Sequence, residues 1–163
     1  FSKEESDVIE MAAPMHDIGK IGIRDDILLK PGKLTAEEFE TMKQHTIIGH
    51  DILKDSPSKF LQMGGLIALG HHEKFDGTGY PYGQKGEEIP IEARIVAIAD
   101  VYDALVSERP YKNAWSTEAA IDYMSTHSGK HFDPVCFNAF VEQLDTILKI
   151  QGMLPDLPAT VII

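Results

Sequence analysis

The chain has one cysteine, Cys136, one tryptophan, Trp115, and only 15 basic residues against 26 acidic ones. A single thiol excludes an internal disulfide and a thiolate-knuckle metal site, and it fits a reducing, cytoplasmic compartment. The net charge of −11 excludes a protein that coats polyanions, because binding by counterion release needs clustered Lys and Arg. Nucleic acid polymers and anionic membranes are therefore poor partners, although a locally positive pocket can still take a small anion. No apolar run approaches the ~18 residues of a membrane span. No signal peptide, internal repeat or low-complexity segment is visible either.

What is present is a chain of 163 residues, 43% hydrophobic, long enough for one domain with one sizeable core. Val8, Ile9, Met11, Ala12 and Met15 follow a helical period behind a Ser2/Glu5 capping-box pattern, so a first helix delivers His16 and Asp17. Gly19 and Gly22 break it, and residues 21–33 read as a loop. Thr35 with Glu38 is a second capping box, opening a helix from Ala36 to about Leu53 that carries His45 and His50. A third helix from about Ser58 leads to His71 and His72, and residues 76–90, rich in glycine and proline, read as a long ordered loop. From Ile89 to about Val106 almost no polar face remains, which predicts a buried helix. Further helices are expected from Ser116 or Thr117 to about Thr126, and from Asp133-Pro134 to about Ile150. The expected fold is all-α, one domain over 1–150 with an irregular tail at 151–163, whose Val161-Ile162-Ile163 would pack on a neighbour.

The stretch His71-His72-Glu73-Lys74-Phe75-Asp76-Gly77-Thr78-Gly79-Tyr80-Pro81 runs two adjacent imidazoles into a glycine-rich turn. Neighbours on a helix point about 100° apart, so such a pair gives one ligand to each of two adjacent ions more readily than two to one. The competing reading is a surface pair favoured by a helix C-terminal dipole. His16-Asp17 is a second adjacent pair, in which the carboxylate can bridge two ions. His45 and Asp100, from two further helices, would complete an inward-facing N/O site. An unpaired carboxylate in an apolar helix is costly, so Asp100 or Asp103 calls for a nearby cation. His45 and His50 lie about 140° apart on their helix and cannot share a face. Gly49, a turn after His45, lets another helix approach and favours His45. His127 and His131 flank the Gly129 turn and read as solvated or capping groups. Imidazole and carboxylate ligands without thiolate suit Fe or Mn. Met11, Met15 and Met42 read as core filler.

Taken together, His16-Asp17-Ile18-Gly19-Lys20, His71-His72-Glu73 with Asp76-Gly77 and Gly79-Tyr80-Pro81, and Ala99-Asp100-Val101-Tyr102-Asp103 followed by Arg109-Pro110-Tyr111-Lys112 resemble the HD-GYP domain over about Ser2 to Val141. The resemblance implies an HD-superfamily helical bundle that hydrolyses cyclic di-GMP to pGpG or GMP at a di- or trinuclear divalent-metal centre. It assigns metal ligands to His16, Asp17, His45, His71, His72 and Asp100, the HD-motif lysine to Lys20, and phosphate contacts to Arg109 and Lys112. Water activated by the ions' charge would attack phosphorus in line, with Asp17 and Lys20 catalytic. Tyr80 would stack on a guanine or anchor its loop, and Asp103 would orient a neighbouring group or a guanine edge. The family carries a further ligand-bearing helix upstream of the HD motif, and this chain starts too late to contain it. Family members are usually modules on sensor or receiver domains of response regulators. A GGDEF-type diguanylate cyclase or regulatory domain is an expected partner, and homodimerisation would cover apolar surface. The rival readings are hydrolysis of another cyclic dinucleotide or nucleotide, and a non-catalytic protein-binding module.

Overall fold

The computed structural model of the protein describes residues 1–108 and 113–153. Arg109 and Lys112, and the tail from residue 154 with Val161–Ile163, lie outside the described residues. Among the described residues there is no β-strand, and the helices are α1 (Lys3–Ala12), α2 (Asp25–Leu28), α3 (Ala36–Leu53), α4 (Lys59–Gly70), α5 (Ile91–Val106), α6 (Thr117–Ser125), α7 (Pro134–Glu142) and α8 (Leu144–Met153). Short 3-10 turns at Ala13–Met15, Ile18–Gly22 and Gly86–Glu88 complete the fold.

Both capping boxes are formed: Ser2 and Glu5 start α1, and Thr35 and Glu38 start α3. Each satisfies backbone N–H groups that a helix leaves without partners. Glu38 is further held by Lys30, 2.6 Å away. Pro14 sits early in the 3-10 turn after α1, where its missing N–H costs nothing. Asp133 caps α7 by accepting the Val135 N–H at 2.8 Å, and it forms a buried ion pair with Arg94 of α5.

α5 joins two cores. On one side Ala12, Ile67 and Val96 pack α1, α4 and α5 together; on the other Ile98, Tyr102, Leu105, Ala120, Met124, Phe132 and Phe137 join α5 to α6 and α7. α4 lies between α3, α1 and α5, so its C-terminal end, with His71 and His72, meets every element that carries a candidate ligand.

The structure departs from the sequence expectations at four places. The stretch 21–33 is not all loop: the 3-10 turn through Gly22 and α2 fall there. α5 is not buried all round, because Ala99 and Asp103 face solvent. The last predicted helix is two, parted at Gln143, and helix continues through Gly152 and Met153 into the segment expected to be irregular. Met11 is 57% exposed and fills no core.

Candidate metal centre

The HD turn docks on α3 through a contact only glycine permits. A Cβ on Gly19 would lie 1.9 Å from the His45 carbonyl oxygen and 2.4 Å from the Gly49 nitrogen. That approach sets Asp17 beside His45. Asp17 Oδ1 is 3.5 Å from His45 Nε2 and 3.9 Å from His71 Nε2, while Oδ2 is 3.3 Å from His16 Nε2 and 2.6 Å from Lys20 Nζ. The rings of His71 and His72 lie 4.0 Å apart, and His45 is 5.5 Å from the first and 5.1 Å from the second. One donor atom from each of Asp17, His45, His71 and His72 falls within 4.8 Å of the others. His16 and Asp100 adjoin this group: Asp100 Oδ1 is 3.8 Å from His16 Nε2, and the His16 ring is 5.1 Å from that of His71.

The tautomers follow from the outer contacts. Nδ1 of His16 lies 2.9 Å from the Ala13 carbonyl, that of His45 2.7 Å from the Met42 carbonyl, and that of His71 3.0 Å from the Ala68 carbonyl. A carbonyl only accepts, so each Nδ1 donates; in His45 and His71, kept neutral by burial, the lone pair is then on Nε2 and faces the cluster, whereas His16 Nε2 lies against the Asp17 carboxylate. Nε2 of His45 and of His71 is buried without a hydrogen-bond partner. Leaving a buried acceptor unmet costs about 1–3 kcal/mol, and a cation removes that cost.

Protonation states agree with this. Burial, with help from the neighbouring imidazoles, pushes His71 down to about 3 and His72 to about 2. Burial also lowers His45. Burial would raise Asp17, but hydrogen bonds from His16 and Lys20 and the charge of both hold its carboxyl well below the usual range. His16 is moved upward: burial opposes this, and the Asp17 hydrogen bond with the charges of Asp17 and Asp100 prevails. The neutral imidazoles of His45, His71 and His72 around the ionised Asp17, with no sulfur, form the donor set of a divalent-metal site.

Beyond this group the predicted residues separate. Tyr80 stacks on His72, centroids 4.7 Å apart and planes at 28°, and its N–H donates to the His72 carbonyl. Asp103 is exposed and accepts from Ser107 Oγ at 3.1 Å. His50 Nδ1 reaches the Gly65 carbonyl and His127 Nδ1 the Tyr123 carbonyl, both away from the cluster. His131 is half-buried and stacked on Phe132 rather than solvated.

Sequence reasoning assigned no role to Glu73. It is buried, and Oε1 accepts the Tyr82 N–H at 2.8 Å, which folds the glycine-rich loop back over the end of α4. A Cβ on Gly79 would lie 2.5 Å from Glu73 Cα, so that fold-back also requires glycine. Burial raises the Glu73 carboxyl against these backbone donors. The available signal was an acidic residue just past an apolar helix and just ahead of a glycine-rich loop.

Fold and site together define an all-α bundle built around an inward histidine–aspartate centre for divalent metal. A family model described as the HD domain matches residues 1–136. The chain belongs to the HD domain family, within its HD-GYP branch. It is 57% identical over 152 residues to the cyclic di-GMP phosphodiesterase response regulator RpfG of Xanthomonas campestris, covering 93% of this chain and 40% of that protein. To a cyclic di-GMP phosphodiesterase of Thermotoga maritima it is 58% identical, over 82% of this chain and 36% of that one. A 3'3'-cGAMP-specific phosphodiesterase of Vibrio cholerae is 43% identical over 96% of this chain and 30% of its own length. The chain thus spans less than half the length of these curated relatives. A crystal structure of a cyclic GMP-AMP-specific phosphodiesterase from V. cholerae shares the fold, with a TM-score of 0.68 at 18% identity over 93% of this chain and 41% of that one. Among the described residues no helix is long and apolar enough to cross a membrane.

Proposed function

We propose that this domain is a cytoplasmic, divalent-metal-dependent phosphodiesterase that hydrolyses cyclic di-GMP to pGpG, GMP or both. The observation that carries the reading is the pair of bare, buried Nε2 atoms on His45 and His71 facing the Asp17 carboxylate. The names of the relatives supply the substrate class. His16, Asp17, His45, His71, His72 and Asp100 would hold two, or three, ions, with Fe or Mn favoured by the N/O donor set.

Bound there, the metal would lower the pKa of water and polarise the phosphoryl oxygens. The protein's own groups do the rest. The carbonyls of Met42 and Ala68 fix the tautomers of His45 and His71, so neither has a proton to lose at Nε2 before the site is loaded. Lys20, 2.6 Å from Asp17, keeps positive charge beside the place where a diester oxygen becomes more negative. Arg109 and Lys112 are proposed to take the second phosphate, Arg with a fork suited to it. Asp103, exposed one turn from Asp100, is proposed to meet a guanine edge.

Anaerobically prepared protein given Fe or Mn should convert cyclic di-GMP, and Asp17→Ala should lose at least about 100-fold in turnover, the scale expected when a group acting on the reacting charge is removed. Hydrolysis unaffected by chelation or by Asp17→Ala would refute the reading. A second substrate, 3'3'-cGAMP, is favoured by the relative that matches nearly the whole chain, and parallel assays separate the two. A homodimer is proposed on the apolar groove of about 300 Å³ between α1 and α5, lined by Phe1, Ile9, Ala13, Ile95 and Ala99. A diguanylate cyclase is proposed to dock at the loop that exposes Tyr82. Solution mass and co-purification test these.

A further inference from the structure

A row of rings leads outward from the metal centre. Tyr80 stacks on His72, and Phe39 of α3 meets Tyr80 edge-to-face with centroids 6.0 Å apart and planes at 81°. Phe39 stays 43% exposed. A lone exposed Phe needs no explanation, but this one carries a cation. Lys43, one turn on, holds Nζ 5.0 Å from the Phe39 centroid and 5.6 Å from that of Tyr80. Glu40 fixes the ammonium at 2.6 Å, and the lysine side chain is only 24% exposed. A flexible lysine is thereby pinned over aromatic faces beside the site, in a chain of net charge −11.

We propose that Phe39 and Lys43, with Tyr80 behind them, form a base subsite that takes a guanine of a cyclic dinucleotide whose phosphate lies at the His/Asp centre. This rests on the phosphodiesterase reading. Phe39 supplies a π-face, which stacks with any base. Lys43 supplies the selection. An ammonium has donors and no acceptor, and guanine presents two acceptors, O6 and N7, on one edge, where adenine pairs its N7 with an N6 donor.

The test uses the metal-loaded chain and compares cyclic di-GMP, 3'3'-cGAMP and bis(p-nitrophenyl) phosphate, a diester with no purine. Binding is measured separately with a phosphorothioate analogue of cyclic di-GMP that resists hydrolysis. Phe39→Ala should raise KM for both dinucleotides, and Kd for the analogue, about tenfold, with kcat little changed, because stacking acts on binding. Lys43→Met should lower kcat/KM for cyclic di-GMP about tenfold and for 3'3'-cGAMP less, narrowing the ratio between them. Lys43→Arg should restore the ratio. Hydrolysis of bis(p-nitrophenyl) phosphate, which has no O6/N7 edge for Lys43 to read, should run at the same rate in Lys43→Met and Lys43→Arg, as a control for the purine-dependent effect. Equal losses on all three diesters, or wild-type KM and Kd in Phe39→Ala and Lys43→Met, would overturn the subsite. A wild-type chain that binds the analogue through these residues yet cleaves no diester would refute the phosphodiesterase reading and leave the subsite standing. A chain that neither binds nor cleaves would refute both.

Discussion

His45 Nε2 and Asp17 Oδ1 face each other across 3.5 Å. The imidazole has committed its one N–H to the Met42 carbonyl, and Asp17 is held ionised by His16 and Lys20. Two acceptors pointed at each other from buried or half-buried positions repel, and the backbone holds both in place. A divalent cation between them converts that repulsion into attraction.

Metal should therefore stabilise the fold as well as enable chemistry. At 100 times its dissociation constant a ligand adds about 2.7 kcal/mol. For a domain of this size each kcal/mol moves the melting point by roughly 2–4 °C. Chelated protein given Mn should thus melt about 5–10 °C higher. His45→Ala should lose most of that increment and bind less metal per chain. An identical melting curve with and without metal would dismiss the cluster as a ligand set.

Gly19→Ala should damage the same site from outside it. The new methyl meets the His45 carbonyl and the Gly49 nitrogen, backbone atoms inside a helix that cannot turn aside. Overpacking of this kind costs about 1–3 kcal/mol, and relief by parting the HD turn from α3 carries Asp17 away from His45. Calorimetry should show a less stable protein that also binds Mn more weakly. Gly152→Ala, in α8 with open space around its Cβ, should instead add up to roughly 1 kcal/mol. A stable Gly19→Ala protein with unchanged metal affinity would show that the close approach is not what sets the centre.

The parts legible in the sequence are those that local chemistry dictates. Ser2/Glu5 and Thr35/Glu38 announce helix starts, and α3 runs over the expected Ala36–Leu53. Adjacency marked His16-Asp17 and His71-His72, Gly49 favoured His45 over His50, and an acidic residue in an apolar helix marked Asp100. The resemblance to the HD-GYP domain assigned all six as one ligand set, and the structure brings them near one another. The parts not legible depend on what the chain meets elsewhere. α2 has four residues, too few to show a period. No Gly or Pro marks the break at Gln143, whose N–H turns back to Ala139 and Phe140. Ala99 and Met11 are apolar yet exposed, since a helical stripe does not reveal its own width. Glu73 is buried only because Tyr82, nine residues on, returns to it.

Acid should weaken the protein through His131. Burial, with the nearby charges of Lys74 and His127, lowers its pKa to about 4 from an ordinary 6.5. Below pH 6.5 the unfolded chain takes up a proton that the folded one refuses, so the stabilising contribution is present above pH 6.5 and is lost as pH falls toward 4. His71 and His72 add the same sign in metal-free protein. His131→Gln, measured by urea unfolding of metal-saturated protein, should show a shallower fall between pH 6.5 and 4. Its carbonyl and that of Lys130 accept the Phe75 and Asp76 N–H groups, so exchange at those amides should accelerate first in the wild type. Equal acid sensitivity in both proteins would rule out His131 as the cause.

Glu73 should prove to be the residue that keeps the glycine-rich loop on the metal centre. Its Oε1 accepts the Tyr82 N–H, and the Gly83 and Gln84 N–H groups also bear on the carboxylate. Glu73→Ala leaves those donors without their carboxylate acceptor, at a cost of about 1–3 kcal/mol. Glu73→Gln keeps one acceptor for Tyr82 but turns an NH2 toward the remaining N–H groups, so it should fall between wild type and Ala. Lys74 and Lys85 flank the loop and offer trypsin its cuts, and limited proteolysis there should follow the order wild type, Gln, Ala from slowest to fastest. Tyr80 rides on the same loop and stacks on His72, so loosening should also raise KM for the dinucleotide while a metal-quantitation assay stays near wild type. If Glu73→Ala were as stable and as protease-resistant as the wild type, the loop would be held by its glycine turns and by the Lys130 and His131 carbonyls, and the carboxylate would have no positioning role.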